Sequence, residues 1–268
     1  MSKGLAELIV LIKGGGEVAS GVAHRLFRAH FKVCLTEIPH SQAVSRGVAF
    51  SEAVYDGEKE VEGVAAELVQ SAGEIPQIWG KNRLPIMVDP QTTLKDTLHP
   101  DILIDAIMAK RNLGTRLTDA PLVIGLGPGF YAGRDVHLVV ETNNSENLGR
   151  VIFDGETEQN TAVPISIGGL TSERVLHSPE DGLFVSKKEI GDLVTAGEVI
   201  ASVGSQALEA PIGGIVRALL RSGIQVEEGT KLAEIDPVAD NETCCRIRAR
   251  VRAISGGVLE AILIRLNA

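Results

Sequence analysis

Apolar residues along this chain follow more than one rhythm. Residues 6–13 (Ala-Glu-Leu-Ile-Val-Leu-Ile-Lys) form a dense apolar run rich in β-branched side chains, and it stops at Gly14-Gly15-Gly16. From Val18 the period lengthens, and Val18, Ala19, Val22, Ala23, Leu26 and Phe27 fall at helical spacing. Phe31-Lys-Val-Cys-Leu-Thr36 then reads as a second strand ending at Glu37. Strand, glycine turn, helix and strand within about 30 residues is the βαβ unit that favours a parallel sheet.

More strand-then-loop units follow. Pro85-Ile-Met-Val-Asp89-Pro90 predicts a short strand closed by proline, and Ile102-Leu-Ile-Asp105 another, leading to Lys110-Arg111-Asn112. Leu122-Val-Ile124 runs into a second glycine turn, Gly125-Leu-Gly127-Pro-Gly129. In the alternating stretch after it, Asp135, His137 and Glu141 share one face of a strand, with Val136, Leu138 and Val140 on the other.

The second half carries a 32-residue repeat. Gly182-x-Phe184 recurs as Gly214-x-Val216, and Gly191-x-x-Val194-x-x-Gly197-x-x-Ile200-x-x-Val203 recurs as Gly223-x-x-Val226-x-x-Gly229-x-x-Leu232-x-x-Ile235. Self-similarity at a fixed period marks duplicated supersecondary units. Two interlocked halves of short strands resemble the barrel-sandwich hybrid of biotinyl and lipoyl carrier domains. Such carriers place a modified lysine on the hairpin between the halves. The hairpin here, residues 204–210, has no lysine, so neither biotin nor lipoate is expected. Beyond it, Arg246, Arg248, Arg250 and Arg252 alternate with Ile247, Ala249 and Val251, predicting a strand with four arginines on one face. That stripe can clamp anions or a partner, or serve as a charged edge against aggregation.

These patterns predict an α/β fold class, an N-terminal Rossmann-like parallel sheet plus a C-terminal all-β barrel-sandwich-hybrid module. Residues 1–115 form the nucleotide-binding region, 116–178 a connecting α/β region with the second Gly-rich turn, and 179–238 the duplicated module. Residues 239–268 form a basic strand and a C-terminal helix.

Gly14-x-Gly16-x-x-Ala19 is a form of the dinucleotide fingerprint. Gly14 permits the tight turn, Gly16 lets backbone approach a pyrophosphate, and Ala19 lets the helix sit close to the strand. With Gly15 and Glu17 these residues bring the helix N-terminus to the anion. Glu37, about 20 residues on, can accept from ribose hydroxyls and favours NAD over NADP. Asp105, Lys110 and Arg111 lie beyond a strand end, where ligands of open α/β sheets sit, as Asp89 and Asn112 do. Gly125, Gly127 and Gly129 can form an anion nest or simply a corner. A histidine flanked by carboxylates makes His137, Asp135 and Glu141 the candidates for proton handling. A solvated polar face explains them equally well. No metal site is expected.

Charge narrows the partners. Among 268 residues, 26 Lys and Arg stand against 35 Asp and Glu, a net charge of -9, which argues against a general nucleic-acid or anionic-membrane surface. Residues 239–268 run the other way, with five Arg against three acids. With no apolar run long enough to span a bilayer and no signal-peptide pattern, a cytoplasmic location is expected. Three cysteines, two of them the adjacent Cys244 and Cys245, make no disulfide framework.

Several blocks together carry a family resemblance: Gly14-Gly-Gly-Glu-Val-Ala-Ser-Gly21, Thr36-Glu-Ile-Pro39, Asp105-Ala-Ile-Met-Ala-Lys-Arg-Asn-Leu-Gly114, Ile124-Gly-Leu-Gly-Pro-Gly-Phe130, Asn147-Leu-Gly-Arg150 and Ser255-Gly-Gly-Val-Leu-Glu-Ala261. The chain resembles the selenium-dependent molybdenum hydroxylase accessory family, whose Rossmann part is similar to the XdhC/CoxI-type xanthine dehydrogenase accessory factors. The family's Arg-Gly-His after Glu-Thr-Asn is replaced here by Asn144-Ser-Glu146. The resemblance implies a maturation factor for molybdenum hydroxylases that binds an NAD-like nucleotide or the molybdopterin cofactor and docks to a client enzyme. Homo-oligomerisation is open. The residues leave two rivals, an NAD-dependent oxidoreductase and a non-catalytic interaction scaffold.

Overall fold

The computed structural model describes residues 4–161, 163–238 and 240–267. It divides the chain into two compact units. One comprises Met1–Ser41, Phe50–Thr161 and Ile247–Ala268; the other comprises Gln42–Ala49 and Ala162–Arg246.

The first unit opens with β1 (Ile9–Lys13), α1 (Glu17–Arg28) and β2 (Lys32–Glu37), with β1 and β2 parallel. It continues through α2 (Ala53–Asp56), β3 (Glu58–Val61), β4 (Val64–Val69), α3 (Ile75–Gly80), β5 (Leu84–Val88), α4 (Leu94–Leu98) and β6 (Ile102–Asp105). β7 (Leu122–Leu126), β8 (Leu138–Val140) and β9 (Val151–Ile152) complete its sheet, in the order β3-β4-β5-β2-β1-β6-β7-β8-β9. Leu11, Cys34, Leu103 and Val123 are register neighbours on one face, packed with Ile75 and Ile78 of α3 and Leu94 of α4. Val10, Ile12, Val33, Leu35 and Ile104 alternate with them and are buried too, as a sheet covered on both faces requires.

The expected N-terminal Rossmann-like parallel sheet is corrected to a nine-stranded mixed sheet. Each edge is antiparallel: β3 against β4, and β9 against β8. The β3–β4 hairpin turns on Glu62 and Gly63, both at positive φ (46° and 80°), the two-residue geometry whose twist matches the strands.

The second unit holds β10 (Val175–His177), β11 (Gly182–Ser186), β12 (Leu193–Val194), β13 (Val199–Val203), β14 (Gln206–Glu209), β15 (Gly214–Leu219), β16 (Ile224–Val226), β17 (Lys231–Asp236) and α5 (Asn241–Cys244). The expected barrel-sandwich-hybrid module is corrected to two separate four-stranded antiparallel sheets, β10-β17-β15-β12 and β14-β13-β11-β16. The 32-residue repeat pairs each half's first strand with the other half's second, β11 with β16 and β15 with β12. β10 and β14, which also stand 32 residues apart, then extend one sheet each by pairing with β17 and β13. Within the 204–210 hairpin, Gln206–Glu209 form strand β14, with residues 204–207 and Glu209 exposed. Residues 42–49 belong here because Leu219 N–H donates to the Val44 carbonyl and Arg46 Nε to the Leu219 carbonyl.

The expected strand of alternating arginines does not form. Residues Ala249–Leu266 make one helix, α6, back in the first unit. Its buried positions Val251, Ile254, Ser255, Val258, Ala261 and Ile262 step by three and four, the spacing of a helix face. α6 packs on α1, β7, β8 and β9. The contact is close: a Cβ on Gly21 of α1 would meet Val251 Cγ1 at 2.1 Å, and one on Gly257 would meet the Gly149 carbonyl oxygen at 1.9 Å. Among the described residues no helix is long and apolar enough to cross a membrane.

Candidate functional site

In sheets of this kind ligand-binding groups gather beyond the carboxyl ends of the parallel strands, where the order turns back. That point lies between β1 and β6, because the chain builds β2, β5 and β4 to one side and β6, β7 and β8 to the other. Lys13 and Asp105 end these two strands and are register partners. Lys13 Nζ donates to Thr115 Oγ1 at 2.6 Å, and Thr115 Oγ1 donates to Asp105 Oδ2 at 2.5 Å. Lys13 Nζ also lies 3.1 Å from that carboxylate oxygen. All three side chains are buried, and a buried ammonium is tolerable only when paired and hydrogen-bonded in this way.

The cluster fixes the base of the loop that leaves β6. Asp105 Oδ1 accepts from Ile107 N–H, and Asn112 Oδ1 accepts from the Gly114 and Thr115 amides. Between these anchors Met108 and Lys110 adopt positive φ of 63° and 60°, strained for residues with a Cβ. Lys110 and Arg111 are exposed. A Cβ on Gly129 would come within 2.5 Å of Arg111 Cα, so this loop lies directly on the second glycine turn. Ile38, Val88, Ile107 and Leu113, which end or follow β2, β5 and β6, are exposed apolar side chains.

The first glycine turn is satisfied internally. Gly15 N–H donates to Glu37 Oε2 at 2.8 Å, and that carboxylate also accepts from Ile38 N–H and Ser41 Oγ. The Gly15 carbonyl accepts from Ser51 N–H and from Ser20 Oγ, and a Cβ on Gly15 would stand 3.0 Å from the Ser51 nitrogen. Gly14 takes the turn at φ +97°, and Gly16 is the N-cap of α1, with Glu17 and Ala19 in its first turns. Glu37, expected to read a ribose, instead accepts from the Gly15 amide of the turn itself. Burial raises its pKa against those three hydrogen bonds. Asp89 caps the start of α4, accepting from Leu94 N–H and Thr93 Oγ1.

The second turn is packed as well. Phe130 lies over Gly125 and Thr142 against Gly127, with a hypothetical Cβ 2.5 Å and 2.4 Å from their atoms. Asp135, His137 and Glu141 do not converge. Asp135 pairs with Arg134 and accepts from Tyr131 N–H. His137 Nδ1 accepts from Val123 N–H, and burial, with Arg265 nearby, lowers its pKa. Glu141 is buried and accepts from the Thr142, Asn143 and Glu158 amides at 2.7 Å each. Among the described residues no group of three or more His, Cys, Asp or Glu is placed to hold a metal. Of the site, sequence reasoning singled out Asp105, Lys110 and Arg111 and missed Lys13 and Thr115. A lysine closing an otherwise apolar strand was the available signal.

The first unit is thus a mixed sheet with helices packed on it and loops at the carboxyl ends of its central parallel strands. No family model matches the chain. It is 45% identical over 259 residues to the uncharacterized protein YqeB of Escherichia coli strain K12, covering 97% of this chain and 48% of that one. The chain therefore spans about half the length of this curated relative. Solved structures with some likeness include TcdA (CsdL), at 13% identity and a TM-score of 0.33, covering 98% of this chain and 90% of that one. The product-bound ectoine utilization protein EutE (DoeB) from Ruegeria pomeroyi is 14% identical, with a TM-score of 0.27 and coverage of 86% and 85%. An aspartoacylase family protein from Mesorhizobium loti is 14% identical, with a TM-score of 0.28 and coverage of 87% and 86%. At these scores the likenesses define neither fold nor activity for this chain.

The family resemblance is corrected: no family model matches the chain, and the curated relative it matches is an uncharacterized protein. Molybdenum hydroxylase maturation, the role of selenium and the client enzyme as partner fall with that resemblance. The oxidoreductase and scaffold rivals, drawn for the same expected fold, fall with it.

Proposed function

We propose that the first unit binds a small phosphate-bearing ligand of nucleotide type at the carboxyl ends of β1 and β6. One observation carries this reading: Lys110 and Arg111 stand exposed on a strained loop whose base is pinned by the buried Lys13–Thr115–Asp105 cluster. A guanidinium and an ammonium on a pre-ordered loop lose little freedom on gripping a phosphate. Ile38, Val88, Ile107 and Leu113 supply apolar surface at the same sheet end for a base. The ligand meets the 106–116 loop rather than the first glycine turn, because Glu37 holds the Gly15 amide.

The test is calorimetric titration of the full chain with AMP and with NAD. Lys110→Gln and Arg111→Gln each weaken binding about tenfold, the scale of one charge-assisted hydrogen bond. Equal affinity in both variants, or no binding of either nucleotide by the parent protein, overturns the proposal.

A further inference from the structure

A second basic cluster lies in the first unit, away from the strand ends. A cavity of about 210 Å3 opens between α1 and α6, lined by Gly21, His24, Arg25 and Arg28 on α1 and by Arg252 and Ser255 on α6. Arg25 and Arg28 are three residues apart and so share a helix face. Arg25 Nη2 donates to the Arg252 carbonyl at 3.1 Å. Arg252 Nη2 lies 2.7 Å from both carboxylate oxygens of Glu62, which also accepts from Ile247 N–H. His24 Nε2 donates to the Glu62 carbonyl at 3.3 Å, which leaves Nδ1 as an acceptor in the neutral ring. Arg28 and Arg252 are both close enough to His24 to bear on its ionisation.

Three guanidiniums thus line one cavity, of which Arg252 forms an ion pair with Glu62, in a chain whose net charge is -9. Among the described residues Arg28 pairs with no acid. Like charges held this close repel, and an anion seated among them removes that repulsion. The volume falls below the roughly 300–1,000 Å3 of drug-sized ligand pockets, which selects a compact ion over an extended molecule. We infer that this cavity is a binding site for a small phosphate-type oxyanion, held by Arg25, Arg28 and Arg252 with His24 at its wall.

None of these residues belongs to the 106–116 loop, and the experiment reads this cavity alone. Titrating inorganic phosphate into the full chain, the imidazole resonances of His24, assigned with His24→Gln, shift saturably. The double variant Arg25→Gln/Arg28→Gln raises the midpoint of that shift at least tenfold, and Lys110→Gln leaves it in place. Unmoved His24 resonances in the parent protein overturn the inference, as does an unchanged midpoint in the double variant.

Discussion

At the residue scale, the chemistry turns on two carboxylates at strand ends. Asp105 balances a buried lysine through a threonine hydroxyl, so removing it strands Lys13 Nζ without its counter-charge. Asp105→Ala is expected to cost about 3–5 kcal/mol, the scale for breaking a buried pair. Thr115→Val, which removes one hydroxyl that both accepts and donates, costs about 1–3 kcal/mol. Urea unfolding measures both; losses under 0.5 kcal/mol, within the range of ordinary surface substitutions, would show the cluster to be inert. Glu37 acts differently. Its folded-state pKa is raised, with burial the largest cause, so its protonated form is favoured in the fold. The stability it contributes is fully present below its unfolded pKa and is lost as pH rises through the folded value. The parent protein therefore loses stability relative to Glu37→Gln as pH rises from about 4 towards 7; a constant difference across that range contradicts the assignment. Both acids were visible in the sequence as polar residues closing apolar runs. Their partners were not, because Thr115 and Ser41 reach them only through the fold.

At the element scale, β1, α1 and β2 could be placed from local periodicity, because each buries a face set by residues within a few positions of one another. α6 could not. The arginines at 246, 248, 250 and 252 mimic a strand, yet apolar residues at 251, 254, 258, 261 and 262, with the buried Ser255 among them, outline a helix face and decide the outcome. Two adjacent glycines inside that helix argue against it by propensity, and only the fold shows why one of them is there. Gly257 lies under the Gly149 carbonyl, whereas a Cβ on Gly256 would meet only Arg25 Nη1, at 3.9 Å. Gly257→Ala is expected to destabilise by about 2–3 kcal/mol through overpacking. Gly256→Ala stabilises by about 0.5–1 kcal/mol through helix propensity. Thermal melts of the pair give opposite shifts; shifts of the same sign would contradict this account of the α6 contact.

At the scale of the whole molecule, the 32-residue repeat was legible because its glycines and apolar positions recur in step, but β10 and β14, also 32 residues apart, share only Leu176 and Leu208, too little to reveal them. The edges of the nine-stranded sheet were equally hidden. The β3–β4 hairpin and β9 reverse a direction that a βαβ reading carries forward. The strand-end position of the site followed from the parallel strands at the sheet's centre, whereas the internal filling of both glycine turns required Ser51, Phe130 and Thr142 to be placed. The central claim is that a ligand meets the 106–116 loop and not the first glycine turn. Amide chemical-shift mapping of the full chain during titration with AMP tests this most directly. Saturable shifts centred on residues 107–116, with Gly15 and Gly16 little changed, are predicted; shifts centred on Gly14–Ala19, or none at all, would contradict it.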